Sequence, residues 1–154
     1  MKKHHIIITL MWLALTLITG AGCSSGTNTS TALNTTSTNN VSSSQDIRDV
    51  SLTDGYELIQ ANKNNSDFVI IDVRTPEEYT AGHIEGAILI DFYDDNFKDQ
   101  LIPLDRSKTY FIYCRTARRS ALARDIMQEM GFQHVINMLG GITDWTNKNY
   151  PVVK

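Results

Sequence analysis

The sequence predicts an α/β domain that is built on a parallel sheet with helices on both of its faces. Strand-like and helix-like segments alternate from residue 46 to residue 154, a pattern typical of parallel strands joined by helical crossovers. Phe68–Ile71 is apolar at every position, as expected for a strand that is covered on both faces. A chain of 154 residues has room for one such domain.

The individual elements are predicted from apolar runs for strands and from N-terminal caps for helices. Ser51 is a suitable N-cap, and Asp54 follows it in the first turn, where an acidic side chain stabilises a helix. Thr75 is followed by Pro76 and two glutamates, which is a second helix start. The predicted strands are 47–50, 68–71, 87–90, 110–113 and 135–138. The predicted helices are 52–62, one that starts at 75, 96–101, 120–130 and one that starts at 141.

The helix predicted for residues 120–130 has one apolar face. Ala121, Leu122, Ile126 and Met130 are spaced so that they lie on a single side of the helix. We therefore expect these four side chains to pack inward against the sheet.

Residues 1–22 are predicted to be a signal peptide. Lys2 and Lys3 form a small positive region, and the apolar run Ile6–Ile18 follows it. This run is shorter than the roughly 20 residues that a membrane-spanning helix needs. It has the length of the apolar core of a signal peptide.

The small residues Gly20-Ala21-Gly22 and the following Cys23 resemble a lipobox, at which lipoprotein precursors are cleaved and lipidated. The resemblance implies that Cys23 carries a lipid that anchors the chain to the membrane. Gly20 departs from the pattern, because an aliphatic residue usually stands there. An ordinary secretory peptide cleaved nearby and an uncleaved anchor are the alternatives.

Residues 23–45 consist, after the cysteine, mainly of Ser, Thr, Asn and Gly. So polar a segment cannot bury enough apolar surface to offset its ordering entropy. We therefore expect a flexible tether that holds a domain of residues 46–154 off the membrane. Together these features predict an exported protein that is anchored on the extracytoplasmic side of the cell envelope.

Composition argues against several kinds of site. The chain carries 14 basic and 17 acidic residues, a formal net charge of -3, and has no basic stripe of the kind that binds nucleic acid. Its two cysteines are far apart and its four histidines are scattered, so no group has metal-ligand spacing. We expect no metal, no other cofactor and no nucleic-acid partner. Asp94, Asp95 and Asp99 are expected to form a solvated acidic face.

The chemistry of the chain is concentrated around Cys114. A buried strand is predicted to end at this residue, and open α/β sheets place ligands at the carboxyl ends of their strands. The turn into the next helix points successive backbone N–H groups into one concavity beside the positive end of that helix. A thiol in such a concavity is stabilised as a thiolate, which lowers its pKa. Arg115, Arg118 and Arg119 add positive potential.

Residues 114–120, Cys-Arg-Thr-Ala-Arg-Arg-Ser, resemble the active-site loop of single-domain rhodaneses. Residues 72–87 are similar to the N-terminal signature of that family, and residues 140–152 to its C-terminal one. The resemblance implies a five-stranded parallel sheet flanked by helices, and a Cys114 that carries sulfane sulfur as a persulfide. It also implies that the loop binds the substrate through Arg115, Thr116, Ala117, Arg118 and Arg119.

The same resemblance implies a sulfurtransferase, which takes sulfane sulfur from thiosulfate or a persulfide donor and gives it to a thiol or to cyanide. Since no second cysteine is expected near Cys114, the acceptor must come from outside the chain. Ala117 departs from the family, which often has glycine at this position. A left-handed backbone there would cost alanine about 1–2 kcal/mol.

Two other classes of function stay open. One is a non-catalytic sulfur carrier, sensor or docking module on the same fold. The other is a cysteine phosphatase or arsenate reductase. Tyrosine phosphatases need an arginine six positions after the cysteine to hold phosphate, and Ser120 stands there. The loop from Cys114 to Arg119 is also one residue shorter than in the phosphatases that share the rhodanese fold.

Several other functional-looking side chains are expected to be structural. Arg74 is predicted to pair with an acid of the following helix such as Glu78. Structural roles are also expected for Asp72, Tyr79, His83 and Trp145.

Overall fold

The computed structural model describes residues 45–154, which form a five-stranded parallel sheet with helices on both faces. The strands are β1 (Asp46–Val50), β2 (Phe68–Asp72), β3 (Ile88–Leu89), β4 (Thr109–Tyr113) and β5 (His134–Met138). The helices are α1 (Leu52–Ala61), α2 (Pro76–Ala81), α3 (Phe97–Leu101), α4 (Arg118–Glu129) and α5 (Gly141–Asn147). The strand order is β1-β5-β4-β2-β3, and every pair is parallel. The predicted fold class is confirmed.

The central strand β4 divides the core into two layers. Phe111 and Tyr113 lie in the layer that α1 and α5 cover. Ile112 and Cys114 lie in the opposite layer together with Met127 of α4. Successive side chains of a strand point to opposite faces, so a strand that is covered on both sides must be apolar at each position.

The parallel register brings the ends of β2 and β4 to the same edge of the sheet. Asp72 lies opposite Tyr113, and the N–H of Val73 donates to the carbonyl of Tyr113 at 3.0 Å. The chain segments that follow these residues, one leading to Thr75 and the other to Cys114, therefore start side by side.

Most element boundaries lie within one residue of the predicted ones, and the larger differences are in β3 and α4. β3 contains only Ile88–Leu89, because it is an edge strand that pairs with β2 over two residues. α4 begins at Arg118, two residues before the predicted start.

The inward face of α4 also differs from the prediction. Ile126 and Met130 pack against the core as predicted. Leu122, however, is 48% exposed, and Ala121 is only partly buried. The fully buried residues of the helix are Ser120, Ala123 and Met127. The prediction was wrong for Leu122 because the buried face of α4 includes the polar Ser120, which hydrophobic periodicity does not count.

The predicted signal peptide of residues 1–22, the lipidated Cys23 and the tether up to residue 44 lie outside the described residues. Between residues 45 and 154, no helix combines the length and the apolar character needed to cross a membrane.

Candidate active site

Cys114 is the first residue after β4 and lies at the carboxyl edge of the sheet. The residue is enclosed, with 1% of its surface exposed. The chain then turns through Arg115, Thr116 and Ala117 and enters α4 at Arg118. The strand, the loop and the helix thus place the thiol beside a helix N-terminus.

The start of α4 has no side-chain cap. Its N-cap residue, Ala117, has φ 76° and ψ -6° and makes no capping hydrogen bond. The first N–H groups of a helix have no acceptor within the helix. Here the N–H groups of Arg119 and Ser120 in α4, together with that of Thr116 in the loop, stabilise the charged form of the Cys114 sulfur. The Ser120 hydroxyl also donates to it, with an Oγ–Sγ distance of 3.5 Å.

These contacts change the acidity of the thiol. Burial alone would raise the pKa of Cys114, because it disfavours the charged form. Hydrogen bonds from the Ser120 hydroxyl and from the three N–H groups outweigh burial, so the pKa of the thiol lies below its ordinary value. The site therefore stabilises the thiolate, which is the nucleophilic form of cysteine.

The three arginines of the loop have two kinds of environment. The Arg119 guanidinium donates to both carboxylate oxygens of Glu78, at 2.7 and 2.8 Å, and lies 5.3 Å from the centre of the Tyr93 ring. Its side chain is 11% exposed. Arg115 and Arg118 are exposed and line the cleft above the sulfur. Arg119 is thus occupied by Glu78, and the other two arginines are open to an incoming anion.

Glu78 connects the two loops at this edge. Its carboxylate accepts a hydrogen bond from the Thr75 N–H at 3.1 Å, and the Thr75 hydroxyl accepts one from the Glu78 N–H, which forms a capping box at the start of α2. The hydrogen bonds from Arg119 hold the pKa of Glu78 below its usual value. The carboxylate therefore stays ionised and links α2 to the cysteine loop.

The predicted pairing of Arg74 with Glu78 is wrong. Arg74 pairs with Asp72, with Nε 2.9 Å from both carboxylate oxygens and Nη2 2.6 Å from one of them. Nη2 also donates to the carbonyl of Gly82 at 2.7 Å. Both partners of the Arg74–Asp72 pair are buried. The pairing differs because Asp72 stands two residues away at the buried end of β2, while Glu78 is directed to Arg119 by the capping box.

The other residues expected to be structural lie outside the cleft. The rings of Tyr79 and His83 stack with their centroids 3.7 Å apart, and the Tyr79 hydroxyl donates to the carbonyl of Ala87 at 2.8 Å. Trp145 is buried, and its Nε1–H donates to the carbonyl of Pro151 at 2.9 Å. Asp94, Asp95 and Asp99 are exposed, as expected of a solvated acidic face.

A cleft of about 510 Å³ opens over the sulfur. It is lined by Thr75, Glu78, Tyr93, Cys114, Arg115, Thr116, Arg118 and Arg119. The sequence did not single out Ser120, Glu78 and Tyr93 as site residues. Ser120 could have been identified from the sequence, since it stands six positions after the cysteine at the start of a helix. No sequence signal identifies Glu78 and Tyr93 as site residues, because they reach the cleft from other segments of the chain.

A thiol held by helix N–H groups, at the carboxyl edge of a parallel sheet and beneath two exposed arginines, defines an α/β domain with a nucleophilic, anion-stabilised cysteine. Comparison with known proteins identifies the family. The model of the Rhodanese-like domain matches residues 55–148, more than half of the chain. The chain belongs to the rhodanese-like domain family.

Its relatives are similar in sequence and in structure. A sulfurtransferase of Allochromatium vinosum is 32% identical over 104 residues, which cover 68% of this chain and 95% of that protein. The thiosulfate sulfurtransferase PspE of Escherichia coli is 39% identical over 74 residues, 48% of this chain and 70% of the relative. The crystal structure of a rhodanese-related protein from Thermoplasma volcanium is 31% identical, has a TM-score of 0.59, and is matched over 69% of this chain and 97% of its own. These relatives support sulfur transfer as the general function.

Proposed function

We propose that this chain is a sulfurtransferase that moves sulfane sulfur from thiosulfate or a persulfide donor to a thiol or to cyanide, through a persulfide on Cys114. The proposal rests on the hydrogen bond from the Ser120 hydroxyl to the Cys114 sulfur and on the neighbouring N–H groups, which lower the pKa of the thiol. These donors stabilise negative charge on the thiolate, and after loading they favour the anionic outer sulfur of a persulfide.

In the first half-reaction the Cys114 thiolate attacks the outer sulfur of thiosulfate. A new S–S bond forms to Cys114, and the bond between the two sulfur atoms of thiosulfate breaks. Its electron pair leaves with sulfite, and the charge remains on the outer sulfur of the new persulfide. The exposed Arg115 and Arg118 attract the anionic donor and the leaving group.

In the second half-reaction an acceptor thiolate or cyanide attacks the outer sulfur of the persulfide. The S–S bond to Cys114 breaks, and its electron pair returns to the cysteine as a thiolate. The acceptor leaves as a persulfide or as thiocyanate. Because the two substrates react one after the other through a covalent intermediate, the kinetics should be ping-pong.

The cleft is poorly suited to the phosphatase alternative. Binding of a phosphate ester needs a guanidinium that is free to hold two phosphate oxygens. The Arg119 guanidinium is already bound to the two oxygens of Glu78, and Ser120 follows it where a phosphatase needs arginine.

A sulfur carrier or sensor is the second candidate function, and the enclosure of Cys114 favours it. With 1% of the residue exposed, a bulky acceptor has little room to reach the outer sulfur of a persulfide on Cys114. Such a protein would accept one sulfur atom and hold it, without repeated turnover.

The test is to incubate the full chain with thiosulfate and to measure its intact mass before and after addition of cyanide. The proposal predicts a gain of one sulfur atom that cyanide removes, together with repeated formation of thiocyanate. Cys114→Ser should show neither effect, and Cys23→Ser should behave like the wild type. A wild-type chain that gains no sulfur would contradict sulfur transfer, and loading without turnover would favour the carrier.

For localisation we propose that the chain is exported and anchored to the membrane through a lipid on Cys23. The lipobox-like residues before Cys23 and the polar tether after it support this proposal. Cys23→Ser should move the protein from the membrane fraction to the soluble fraction. If the partitioning does not change, lipidation is not the means of attachment.

A further inference from the structure

The first turn of α5 approaches the cysteine loop closely. The Ile142 N–H donates to the carbonyl oxygen of Cys114 at 2.9 Å, and the Thr143 N–H donates to that of Arg115 at 3.1 Å. Both N–H groups belong to the first turn of a helix, where no acceptor exists within the helix. The loop carbonyls therefore satisfy donors of α5, while the sulfur satisfies donors of α4.

The peptide between Arg115 and Thr116 links this contact to the sulfur. In a planar trans peptide the C=O and N–H bonds point in opposite directions. Because Thr143 holds the Arg115 carbonyl, the Thr116 N–H is directed away from α5, and this N–H is one of the groups that lower the pKa of the Cys114 thiol. The orientation of one peptide plane thus decides whether the sulfur keeps this donor.

A glycine allows α5 to come this close. Gly141 has φ 60°, and a Cβ atom added to it would lie 2.5 Å from the carbonyl oxygens of both Cys114 and Arg115. Any side chain at this position would push the loop away. Gly140 also has a positive φ, of 76°, but a Cβ atom there would meet the Asp144 side chain of its own helix. The two neighbouring glycines therefore have different reasons to be glycine.

We propose that the first turn of α5 is a positioning element, in which Gly141 and the N–H groups of Ile142 and Thr143 orient the peptide planes of the cysteine loop toward the sulfur. The inference rests on the proposed function of Cys114. In this proposal α5 contributes to stabilising the Cys114 thiolate, because a contact from outside the cysteine loop fixes the direction of the Thr116 N–H.

The substitutions that test this proposal do not alter the charged and titratable groups that line the cleft. These groups are Glu78 from α2, Tyr93 from the segment after β3, and Arg115, Arg118 and Arg119 from the loop and α4. A substitution at Gly141 or Thr143 leaves all of them in the chain. A change in the acidity of Cys114 would therefore report the geometry of the loop and not an altered set of charges.

The test measures the rate of alkylation by iodoacetamide against pH, in the full chain carrying Cys23→Ser so that Cys114 is the thiol that reacts. Gly141→Ala should shift the midpoint of this profile to higher pH and slow alkylation several-fold at neutral pH, because the sulfur loses a donor. Gly140→Ala is the matched control. It perturbs the same helix start without touching the loop, and its midpoint should stay at the wild-type value.

A second pair of variants covers the case in which Gly141→Ala does not fold. Thr143→Pro removes the N–H that holds the Arg115 carbonyl, in a first turn where that N–H has no helical acceptor to lose. Thr143→Ala keeps the N–H and serves as its control. Thr143→Pro should shift the midpoint upward, and Thr143→Ala should leave it unchanged; the fold of each variant is checked by circular dichroism.

The proposal is overturned if folded Gly141→Ala or Thr143→Pro keeps the wild-type midpoint, or if Gly140→Ala shifts it equally. This outcome is independent of the sulfurtransferase proposal. Alkylation needs no sulfur donor, so a wild-type chain that fails to load sulfur would contradict the function and leave the role of α5 to be judged from the midpoints.

Discussion

Two strand-to-helix connections lie side by side at the carboxyl edge of the sheet, and they satisfy their helix N-termini in opposite ways. In the connection from β2 to α2, Thr75 caps the helix and Glu78 completes a capping box. In the connection from β4 to α4, Ala117 provides no capping side chain, and the N–H groups stabilise the thiolate of Cys114 instead. We call the β2–α2 connection closed, because side chains of its own helix start cap the N–H groups. We call the β4–α4 connection reactive, because its N–H groups stabilise a thiolate.

The charges of the two connections differ in the same sense. Arg74 is buried and paired with Asp72 in the β2–α2 connection. Arg115 and Arg118 are exposed in the β4–α4 connection. The arginine of the β2–α2 connection therefore stabilises the fold, whereas two arginines of the β4–α4 connection are available to a substrate. Substitutions in each connection should show this difference directly.

Breaking the buried ion pair of the closed connection should have the largest effect. Arg74→Met leaves the buried Asp72 carboxylate without its partner, which lowers the free energy of unfolding by about 3–5 kcal/mol. Urea unfolding of the full chain measures the loss. Arg48→Met is the control, because the Arg48–Asp46 pair is exposed and is worth no more than about 1 kcal/mol. Equal losses in the two variants would show that burial does not distinguish these pairs.

Removing one donor from the reactive connection should change acidity more than stability. Ser120→Ala removes the hydroxyl that donates to the Cys114 sulfur, so the pKa of the thiol should rise toward its ordinary value. Because the raised pKa leaves less of the variant as thiolate at neutral pH, alkylation and sulfur loading at this pH should slow several-fold. The measurement is the pH profile of iodoacetamide alkylation in a Cys23→Ser background. An unshifted midpoint would mean that the backbone N–H groups suffice.

The sequence was sufficient for the features that depend on local signals. The apolar run of β2, the cap at Thr75 and the strand–loop–helix arrangement around Cys114 each occupy a few consecutive residues, and the structure contains all of them. The five-stranded sheet came from the resemblance to rhodaneses, and it is confirmed.

The features that the sequence did not predict depend on contacts between distant segments. Glu78 and Arg119 are 41 positions apart, and their pairing requires that β2 and β4 are neighbours with the observed register. Without that geometry, Arg74 is the nearer partner for Glu78 in the chain. The inward face of α4 was missed in part for a related reason, since Ser120 is buried in contact with the sulfur of Cys114, and the spacing of apolar residues does not reveal a buried serine.

The cap of the closed connection gives the third test. Thr75→Ala removes the capping hydroxyl of α2 and should lower the free energy of unfolding by about 1 kcal/mol. The alkylation profile of Cys114 should not change, because Thr75 gives no hydrogen bond to the sulfur. Thr80→Ala, at an exposed position of the same helix that does not cap it, is the control for stability. A midpoint that moves as far as in Ser120→Ala would show that the two connections are not independent.

The smallest effect is expected at Ala117, where the reactive connection carries backbone strain. A left-handed conformation costs alanine about 1–2 kcal/mol, and glycine avoids this cost but loses more conformational entropy on folding, by about 0.5–1 kcal/mol. Since Ala117 has φ 76°, Ala117→Gly should raise the free energy of unfolding by about 0.5–1 kcal/mol. Ala121→Gly, inside α4, should lower it by about 1 kcal/mol. Both changes are measured by urea unfolding. An unstrained position would respond like Ala121, so opposite signs of the two changes identify Ala117 as strained. A loss of stability in Ala117→Gly would refute the strain at Ala117.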